Sequence, residues 1–378
     1  MKVALIITGL HTGGAEMMLY KLLQNMDRRK YEPTVITLMD LNDMGPKIQA
    51  LGVKVHAIGM QRRIPNPYRL WLLVRVLKQL QPDVVHTWMY HADLLGSLAA
   101  RLAGCRQIVW GIHHSNLSPE QNKKSTIAVV KLCAWLSNWL PHEVLSCSHQ
   151  AARVHTAVGY KQEKVRVIPN GFDLANFKID QQARSSVRQE LGLPQSAPLV
   201  GLIARYHPLK NHLGFMAAAK QVLDQMPDVH FLLAGPEVDC NNDALVQEIA
   251  KYDGLSAHIH LLGRRDDVPR LMGALDVLAS PSHGEAFPNV LGEAMACGVP
   301  CAVTNAGDSA EIVGETGRTV SVGDMPALAC ALLELLSMAH DERLALGQSA
   351  RTRVEALFEI GHVTRQYEDA YLRCYTSH

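Results

Sequence analysis

Two carboxylates that lie eight positions apart, Glu285 and Glu293, are the residues whose types and spacing most suggest chemistry in this chain of 378 residues. Both belong to the stretch 280–301, which reads SPSHGEAFPNVLGEAMACGVPC. Ionised carboxylates only accept hydrogen bonds, so they suit the hydroxyl groups of a sugar or a ribose better than a phosphate. The alternative is one solvated glutamate at the start of a helix and a second on its surface, and the spacing fits both interpretations.

The pattern around these carboxylates predicts a strand, a loop and a helix. An apolar run ends at the turn signal Ser280-Pro281, Pro288 suits the first turn of a helix, and Gly298 ends that helix. We therefore expect Glu285 on the loop that faces the helix N-terminus, and Glu293 about one and a half turns inside the helix. The unpaired N–H groups and the dipole of such a terminus favour a phosphate.

Two cations, Arg205 and Lys210, follow the apolar run 198–204, and Pro208 stiffens the loop between them. At the carboxyl end of a strand such a pair can clamp a diphosphate, because arginine offers a planar fork and lysine a point charge. Ordinary surface charge is the alternative interpretation.

A glycine-rich loop, 9–14, joins the first predicted strand to the first predicted helix. Its Gly13 and Gly14 allow backbone N–H groups to approach a ligand, although the loop is not the GxGxxG dinucleotide pattern. A plain tight turn and a loop that binds a phosphate or an acceptor are both compatible with this composition.

One histidine, His113, follows the apolar run 108–112, at a strand end of the kind that binds ligands in open α/β sheets. The adjacent His114 leaves the assignment open by one residue, and His86 and His91 are further candidates on the neighbouring strand and loop. A structural role in the core is the alternative for each of them.

Short apolar runs alternate with helical stretches through both halves of the chain, which predicts α/β domains with doubly wound parallel sheets. A chain of 378 residues exceeds one typical core. We place the domain boundary near residue 172, with a linker that runs to about residue 195.

The block GEAFPNVLGEAMACGVP resembles the Glu–seven residues–Glu signature of retaining glycosyltransferases with the GT-B fold, in particular glycosyltransferase family 4 (group 1). The resemblance extends over nearly the whole chain. It implies two Rossmann-like domains that face a cleft: an acceptor-binding domain, 1–172, and a nucleotide-sugar-binding domain, 173–360. A last helix, 361–378, would cross back to pack on the first domain.

The resemblance also implies roles for individual residues. Glu285 would hold sugar hydroxyls and Glu293 the ribose hydroxyls. Arg205 and Lys210 would neutralise the departing diphosphate, and His113 would touch the donor sugar and its phosphate and support catalysis. The other donor-binding positions that it implies are Gly13, Gly14, Gly263, Arg264, Phe287, Pro288, Asn289 and Val290. Arg265 is an alternative to Arg264.

One turn departs from the family pattern. The family often has GG-x-x-E-x-I there, whereas this chain has Gly307-Asp308-Ser309-Ala310-Glu311, with aspartate in place of the second glycine. The backbone contacts of this turn with the donor or the acceptor are therefore not carried over.

The activity that the resemblance implies is transfer of a sugar from a nucleotide sugar to a hydroxyl group, with retention at the anomeric carbon. UDP-sugars are the first expectation and GDP-mannose the second. No Asp-x-Asp motif is present, so neither a catalytic metal nor another cofactor is expected. A front-face mechanism, in which the departing phosphate deprotonates the acceptor, is preferred to a covalent intermediate on Glu285. The rival functions are a nucleotide-sugar epimerase of the same fold and a non-catalytic subunit that binds a sugar nucleotide.

The charges are divided unequally: 21 Lys and Arg stand against 10 Asp and Glu through residue 172, and 16 against 26 thereafter. The basic half should meet an anionic partner. Two of its segments, Tyr68–Leu80 and Lys123–Leu140, combine basic residues with tryptophan and suit helices that lie on an anionic membrane. Core-facing helices with a polar edge are the alternative.

The eight cysteines form no CxxC pair, which favours reduced thiols in a cytosolic protein, and no apolar run is long enough to span a bilayer. We expect a cytoplasmic protein, peripheral on the inner face of the cytoplasmic membrane where its basic half binds lipid. Its acceptor would be a glycan or a lipid-linked glycan in surface-polysaccharide or glycolipid assembly, and no nucleic acid partner is expected.

Overall fold

A computed structural model describes residues 1–61, 66–118 and 122–377 of the chain. The chain divides into two compact units. The first unit comprises Met1–Gly171 and the terminal segment from Ile360, and the second comprises Phe172–Glu359. The second unit thus starts and ends one residue before the bounds expected from the sequence, 173 and 360.

The first unit is built on a seven-stranded parallel sheet. Its strands are β1 (Lys2–Ile7), β2 (Glu32–Thr37), β3 (Lys54–Ala57), β4 (Val84–Trp88), β5 (Ile108–Ile112), β6 (Glu143–Ser146) and β7 (Val165–Val167). Their order in the sheet is β3-β2-β1-β4-β5-β6-β7. The first helices of this unit are α1 (Gly14–Asn25), α2 (Met44–Ala50), α3 (Pro67–Leu80), α4 (Tyr90–Ala103), α5 (Lys124–Leu136) and α6 (His149–Val158).

Helices cover both faces of this sheet, which explains why its strands are continuous apolar runs. In β1 every residue from Val3 to Ile7 is buried. Alternate residues of β1 contribute to two separate core layers, one with α1 and α2 and the other with α3, α4, α5 and α6.

The second unit contains a six-stranded parallel sheet in the order β10-β9-β8-β11-β12-β13. Its strands are β8 (Leu199–Ile203), β9 (His230–Ala234), β10 (Ile259–Leu261), β11 (Val277–Ser280), β12 (Cys301–Thr304) and β13 (Arg318–Val320). Its helices are α7 (Gln181–Glu190), α8 (His212–Gln225), α9 (Asp243–Ala250), α10 (Val268–Ala274), α11 (Asn289–Ala296), α12 (Ser309–Val313), α13 (Met325–Ser337) and α14 (His340–Phe358).

The last helix, α15 (Ile360–Thr376), belongs to the first unit. It buries Tyr367 and Tyr371 in the core layer of α1, and Arg373 donates to both carboxylate oxygens of Glu143 on β6, at 2.8 and 3.0 Å. The expected fold class, two doubly wound parallel-sheet domains with a final helix on the first, is confirmed.

Some element ends differ from the sequence-based expectation for local reasons. The segment Lys123–Leu140 was expected to form a helix, but α5 ends at Leu136. There the Ser137 hydroxyl donates to the carbonyl of Ala134 at 2.6 Å, which competes with continued helical bonding. None of the described helices is long and apolar enough to cross a membrane.

Candidate functional site

The second sheet changes its direction of growth between β8 and β11, which are neighbours although β9 and β10 separate them in the chain. In open α/β sheets, ligands bind outside the carboxyl ends of the strands at such a switch point. The loops after β8 and β11 lie side by side there, because the His283 amide donates to the carbonyl of Leu209 at 2.7 Å.

These loops bring two predicted site residues into direct contact. Lys210 Nζ donates to Oε1 of Glu285, and Ser282 Oγ donates to the same oxygen at 2.7 Å. The side chains of Lys210 and Glu285 are only 23% and 11% exposed. Charge-assisted hydrogen bonds with limited access to water are strong, so this pair holds both side chains in one orientation at the switch point.

A turn after β12 supports the backbone of Glu285. Gly307 has a φ of +60°, and a Cβ there would lie 2.5 Å from the carbonyl oxygen of Glu285 and 2.7 Å from that of Ala286. The amide of the buried Asp308 donates to the Ala286 carbonyl at 3.2 Å. The turn that departs from the family pattern therefore packs against the loop that carries Glu285, and only glycine fits at 307.

Helix α11 begins at Asn289, one residue after the expected start, because Pro288 is its N-cap and not part of its first turn. Asn289 and Val290 lie in the first turn, and Glu293 lies further along. The side chain of the N-cap residue Pro288 makes no capping hydrogen bond. The helix thus directs backbone N–H groups toward the switch point, as an anion requires.

The side chain of Phe287 packs inside an aromatic cluster of the second unit. It is buried, and it stacks on Phe172 with ring centroids 6.1 Å apart and meets Phe358 edge-on at 5.7 Å. A Cβ at Gly292 would lie 2.1 Å from the Phe172 ring, so the close approach of α11 to this cluster requires glycine. Of Phe287, only the backbone is available to a ligand.

The other predicted residues of the second unit occupy the same edge of the sheet. Arg205 is exposed directly after β8, and its guanidinium forms no hydrogen bond or ion pair within the described residues. Gly263, with a φ of +64°, and the exposed Arg264 follow β10, two strands away. Arg265 instead pairs with Glu190 and Asp267, which distinguishes the two arginines that the sequence left equivalent.

The first sheet has its own switch point, between β1 and β4. Gly13 is the N-cap of α1 and Gly14 its first residue. The backbone of Gly13 is extended, and a Cβ there would lie 2.5 Å from Oε2 of Glu16, the flexible end of that side chain. Burial raises the pKa of the Glu16 carboxyl.

His113 lies beyond β5 at the same edge as this loop, and its ring stacks on Trp88, the last residue of β4. The centroids are 4.4 Å apart and the planes differ by 5°. Burial lowers the pKa of His113 to about 3, so the ring is neutral at physiological pH.

The other candidate histidines, His114, His91 and His86, have different environments from that of His113. His114 and His91 are exposed, whereas His86 is fully buried and its Nδ1 lies 2.8 Å from the hydroxyl of Tyr371. Sequence reasoning had no signal for this aromatic environment or for Ser282, since neither belongs to a recognisable spacing. Among the described residues, no group of three or more His, Cys, Asp or Glu side chains is arranged to hold a metal ion.

Comparisons with known proteins agree with this architecture. Residues 12–176 match the family model of Glycosyltransferase Family 4, and residues 197–338 match that of Glycosyl transferases group 1. The crystal structure of Anabaena Alr3699/HepE in complex with UDP has the same fold, with a TM-score of 0.87 and 24% identity over 99% of this chain and 100% of that one.

Two curated relatives that are similar in sequence bear on the family to which the chain belongs. It is 27% identical over 319 residues to UDP-Gal:alpha-D-GlcNAc-diphosphoundecaprenol alpha-1,3-galactosyltransferase of Escherichia coli, which covers 79% of this chain and 78% of that one. It is 30% identical over 301 residues to the D-inositol 3-phosphate glycosyltransferase of Xylanimonas cellulosilytica, which covers 72% of this chain and 68% of that one. From these matches and the two family models it follows that the chain belongs to glycosyltransferase family 4, group 1.

Proposed function

We propose that this glycosyltransferase moves a sugar from a nucleotide sugar, with a UDP-sugar as the first candidate, to a hydroxyl of a glycan or a lipid-linked glycan. The anomeric configuration is retained and no metal ion takes part. The observation that carries the proposal is the contact between Lys210 and Glu285 at the switch point, beside Arg205 and the N-terminus of α11. The donor is suggested by the UDP-Gal of the Escherichia coli relative and the UDP of the Anabaena structure.

The chemistry requires that negative charge be stabilised on the departing nucleoside diphosphate. Arg205, Lys210 and the first amides of α11 supply donors at one edge of the second sheet, and together they take the role that a divalent cation has in metal-dependent enzymes. Because these donors are held by the fold before the reaction, they need little reorganisation as the charge develops.

The two glutamates bind hydroxyl groups of the donor. Glu285 receives those of the sugar, with its carboxylate oriented by Lys210 and Ser282. Glu293 receives those of the ribose. Gly263 and the backbone beside Arg264 contact the nucleobase, and Arg264 takes this place in preference to Arg265 because Arg265 is held by two carboxylates.

The first unit contributes a phosphate-binding loop and a neutral histidine. The amides near Gly13 and Gly14 approach the donor phosphates, and the N-terminus of α1 adds its dipole. His113 contacts the donor sugar, and because burial keeps its pKa low the neutral ring can hydrogen-bond there without placing a charge beside the reacting carbon.

Retention follows from a front-face reaction. The bond from the anomeric carbon to the phosphate oxygen breaks, the acceptor oxygen forms its bond on the same face, and the departing phosphate takes the acceptor proton. Glu285 is a poor nucleophile in this setting, because Lys210 and Ser282 both donate to the same carboxylate oxygen and stabilise the anion. This arrangement favours the front-face reaction over a covalent glycosyl intermediate.

The acceptor side of the proposal includes a membrane. On α3, the exposed Tyr68 and Trp71 stack with centroids 5.8 Å apart, and the Arg75 guanidinium lies 5.6 Å from the Trp71 ring. Trp135 of α5 and Trp139, which follows that helix, are 60% and 58% exposed. Aromatic side chains among cations suit the interface of an anionic bilayer.

The exposed charged side chains of α3, α4 and α5 are all positive. Asp93, the single acidic residue of α3, α4 and α5, is buried, so the exposed charges of these three helices are cations. The three helices cover the same face of the first sheet. We assign this face to the anionic headgroups of the membrane that carries a lipid-linked acceptor.

A product analysis tests the proposal. The purified protein is incubated with UDP-galactose, UDP-glucose, UDP-N-acetylglucosamine or GDP-mannose and a detergent-dispersed polyprenyl-diphosphate sugar, and products are identified by mass spectrometry and by NMR of the anomeric proton. An α-linked product from an α-linked donor supports the account. An inverted product, or epimerised donor in the absence of acceptor, contradicts it.

A further inference from the structure

The ring of His113 is one of three stacked rings. Trp88 stacks on it with ring centroids 4.4 Å apart and planes 5° apart, and Tyr367 of α15 stacks on Trp88 at 5.9 Å and 13°. Trp88 and Tyr367 are fully buried. The last helix of the chain therefore reaches His113 through one intervening ring.

The strand register explains this arrangement. Trp88 pairs with Gly111 across β4 and β5, and His86 and His113 lie two residues from them on the same face of the sheet. A Cβ at Gly111 would lie 3.1 Å from Nε2 of His86 and 3.4 Å from Nε2 of His113. The missing side chain leaves the space that both imidazole rings occupy.

No hydrogen bond orients the inner side of the His113 ring. Its Nδ1 is buried and has no partner within the described residues. A functional histidine is usually oriented by a hydrogen bond from the ring nitrogen opposite the substrate. In this protein that support is missing, and the parallel face of Trp88 is the contact that fixes the plane of the ring.

We propose that Trp88 and Tyr367 are positioning residues for the transfer reaction: by stacking they hold the His113 ring in one plane and keep water away from its Nδ1. The inference rests on the proposed function, in which His113 contacts the donor sugar. It assigns α15 a part in the active site, exerted through Trp88, in addition to its packing role.

The histidine and tyrosine side chains in and beside the stack are neutral at physiological pH. Burial lowers the pKa of His86 and His113 and raises the pKa of Tyr367 and Tyr371. The titratable side chains beside the stack are those of His86, Cys147 and Tyr371, and the Glu368 carboxyl lies near Tyr371. No ionised partner among them holds His113, so removal of the stack exposes the ring to water rather than to a compensating charge.

The test uses NMR of histidine side chains together with kinetics. Trp88→Leu and Tyr367→Leu remove the flat rings, while Trp88→Phe and Tyr367→Phe retain one. The matched control is Trp110→Leu, because Trp110 is an equally buried indole on β5 whose N–H donates to Ser97 in the other core layer. The signal of His113 is identified by its loss in His113→Asn.

In the native protein and in Trp110→Leu, we expect no titration of His113 between about pH 5 and pH 8. In both leucine variants of the stack we expect a titration inside that range, and a kcat about tenfold below that of Trp110→Leu with little change in KM. The phenylalanine variants should recover most of this loss.

Two results would overturn the inference. One is a His113 signal that stays non-titrating in Trp88→Leu, and the other is a kcat in that variant equal to that of Trp110→Leu. Failure of the proposed function is distinct from both, since the native protein would then show no transfer to any acceptor while the NMR titrations still report whether the stack holds the ring.

Discussion

Lys210 and Glu285 are 75 residues apart in the chain, yet they form a direct ion pair at the carboxyl edge of the second sheet. One of them follows β8 and the other follows β11, and the neighbouring positions of these strands create the contact. In the proposed mechanism, the diphosphate and the sugar hydroxyls of the donor would therefore meet two groups that already hold each other in place. The turn at Gly307 packs against the loop that carries Glu285 and so supports this pair.

Gly307→Ala should disturb the loop that carries Glu285. The new Cβ would meet the carbonyl oxygens of Glu285 and Ala286 at a backbone angle that disfavours alanine, which should lower the free energy of unfolding by about 1 to 3 kcal/mol. Urea unfolding and UDP titration measure the two effects. Gly323→Ala is the control, since its φ is +84° but a Cβ there meets nothing within 4 Å. Equal UDP affinity in both variants would contradict the supporting role of the turn.

Arg205→Gln should weaken binding of a nucleoside diphosphate by about tenfold and of the nucleoside much less, because the cation acts on the phosphates. Titration calorimetry with UDP and with uridine separates these effects. Lys251→Gln removes an exposed cation that pairs with Glu248 elsewhere in the second unit and serves as the control. If the two variants lose the same affinity for UDP, Arg205 does not bind the diphosphate.

Acid should destabilise the second unit through a histidine cluster on β9 and β10. Burial, with positive neighbours His230 and His258, lowers the pKa of His260 to about 4. In the unfolded chain His260 binds a proton near pH 6.5, whereas in the folded chain it stays neutral until about pH 4. The contribution of the neutral His260 to the free energy of unfolding is therefore complete above pH 6.5 and is lost as the pH falls toward about 4. His260→Gln should reduce this loss in urea midpoints measured at pH 7 and pH 5. An unchanged pH dependence would exclude His260 as its source.

Replacement of Trp135 and Trp139 by serine should reduce binding to phosphatidylglycerol vesicles by at least about tenfold, since two interfacial aromatic side chains are lost. Vesicle sedimentation at two salt concentrations also reports the cationic contribution. Leu344→Ser removes an equally exposed apolar side chain from the second unit and should have no effect. Unchanged sedimentation of the double variant would show that Trp135 and Trp139 do not contact the membrane.

The fold was predictable because both sheets are parallel and covered on both faces, so that strands such as β1 are continuous apolar runs. Element ends were less predictable where a single polar side chain decides them, as Ser137 does for α5. The short edge strand β13 escaped detection because Arg318 and Thr319 give it little apolar pattern.

The sequence indicated which residues form the candidate site, but it did not indicate which of them contact each other. Glu285 and Lys210 were assigned to different parts of the donor, and their mutual ion pair depends on a backbone bond between His283 and Leu209 that no local pattern encodes. The stack of Trp88 on His113 depends in the same way on the register of two strands.

In the proposed mechanism, the edge of the second sheet around Lys210 and Glu285 binds a nucleoside diphosphate without a metal ion. The most direct measurement is thermal unfolding with UDP, GDP or ADP, with and without EDTA, in the native protein, Lys210→Met and Glu293→Ala. We expect one nucleotide, UDP first, to stabilise the native protein by about 2.7 kcal/mol at a hundredfold excess over its Kd, insensitive to EDTA and lost in both variants. Stabilisation that disappears with EDTA, or that both variants retain, would contradict the account.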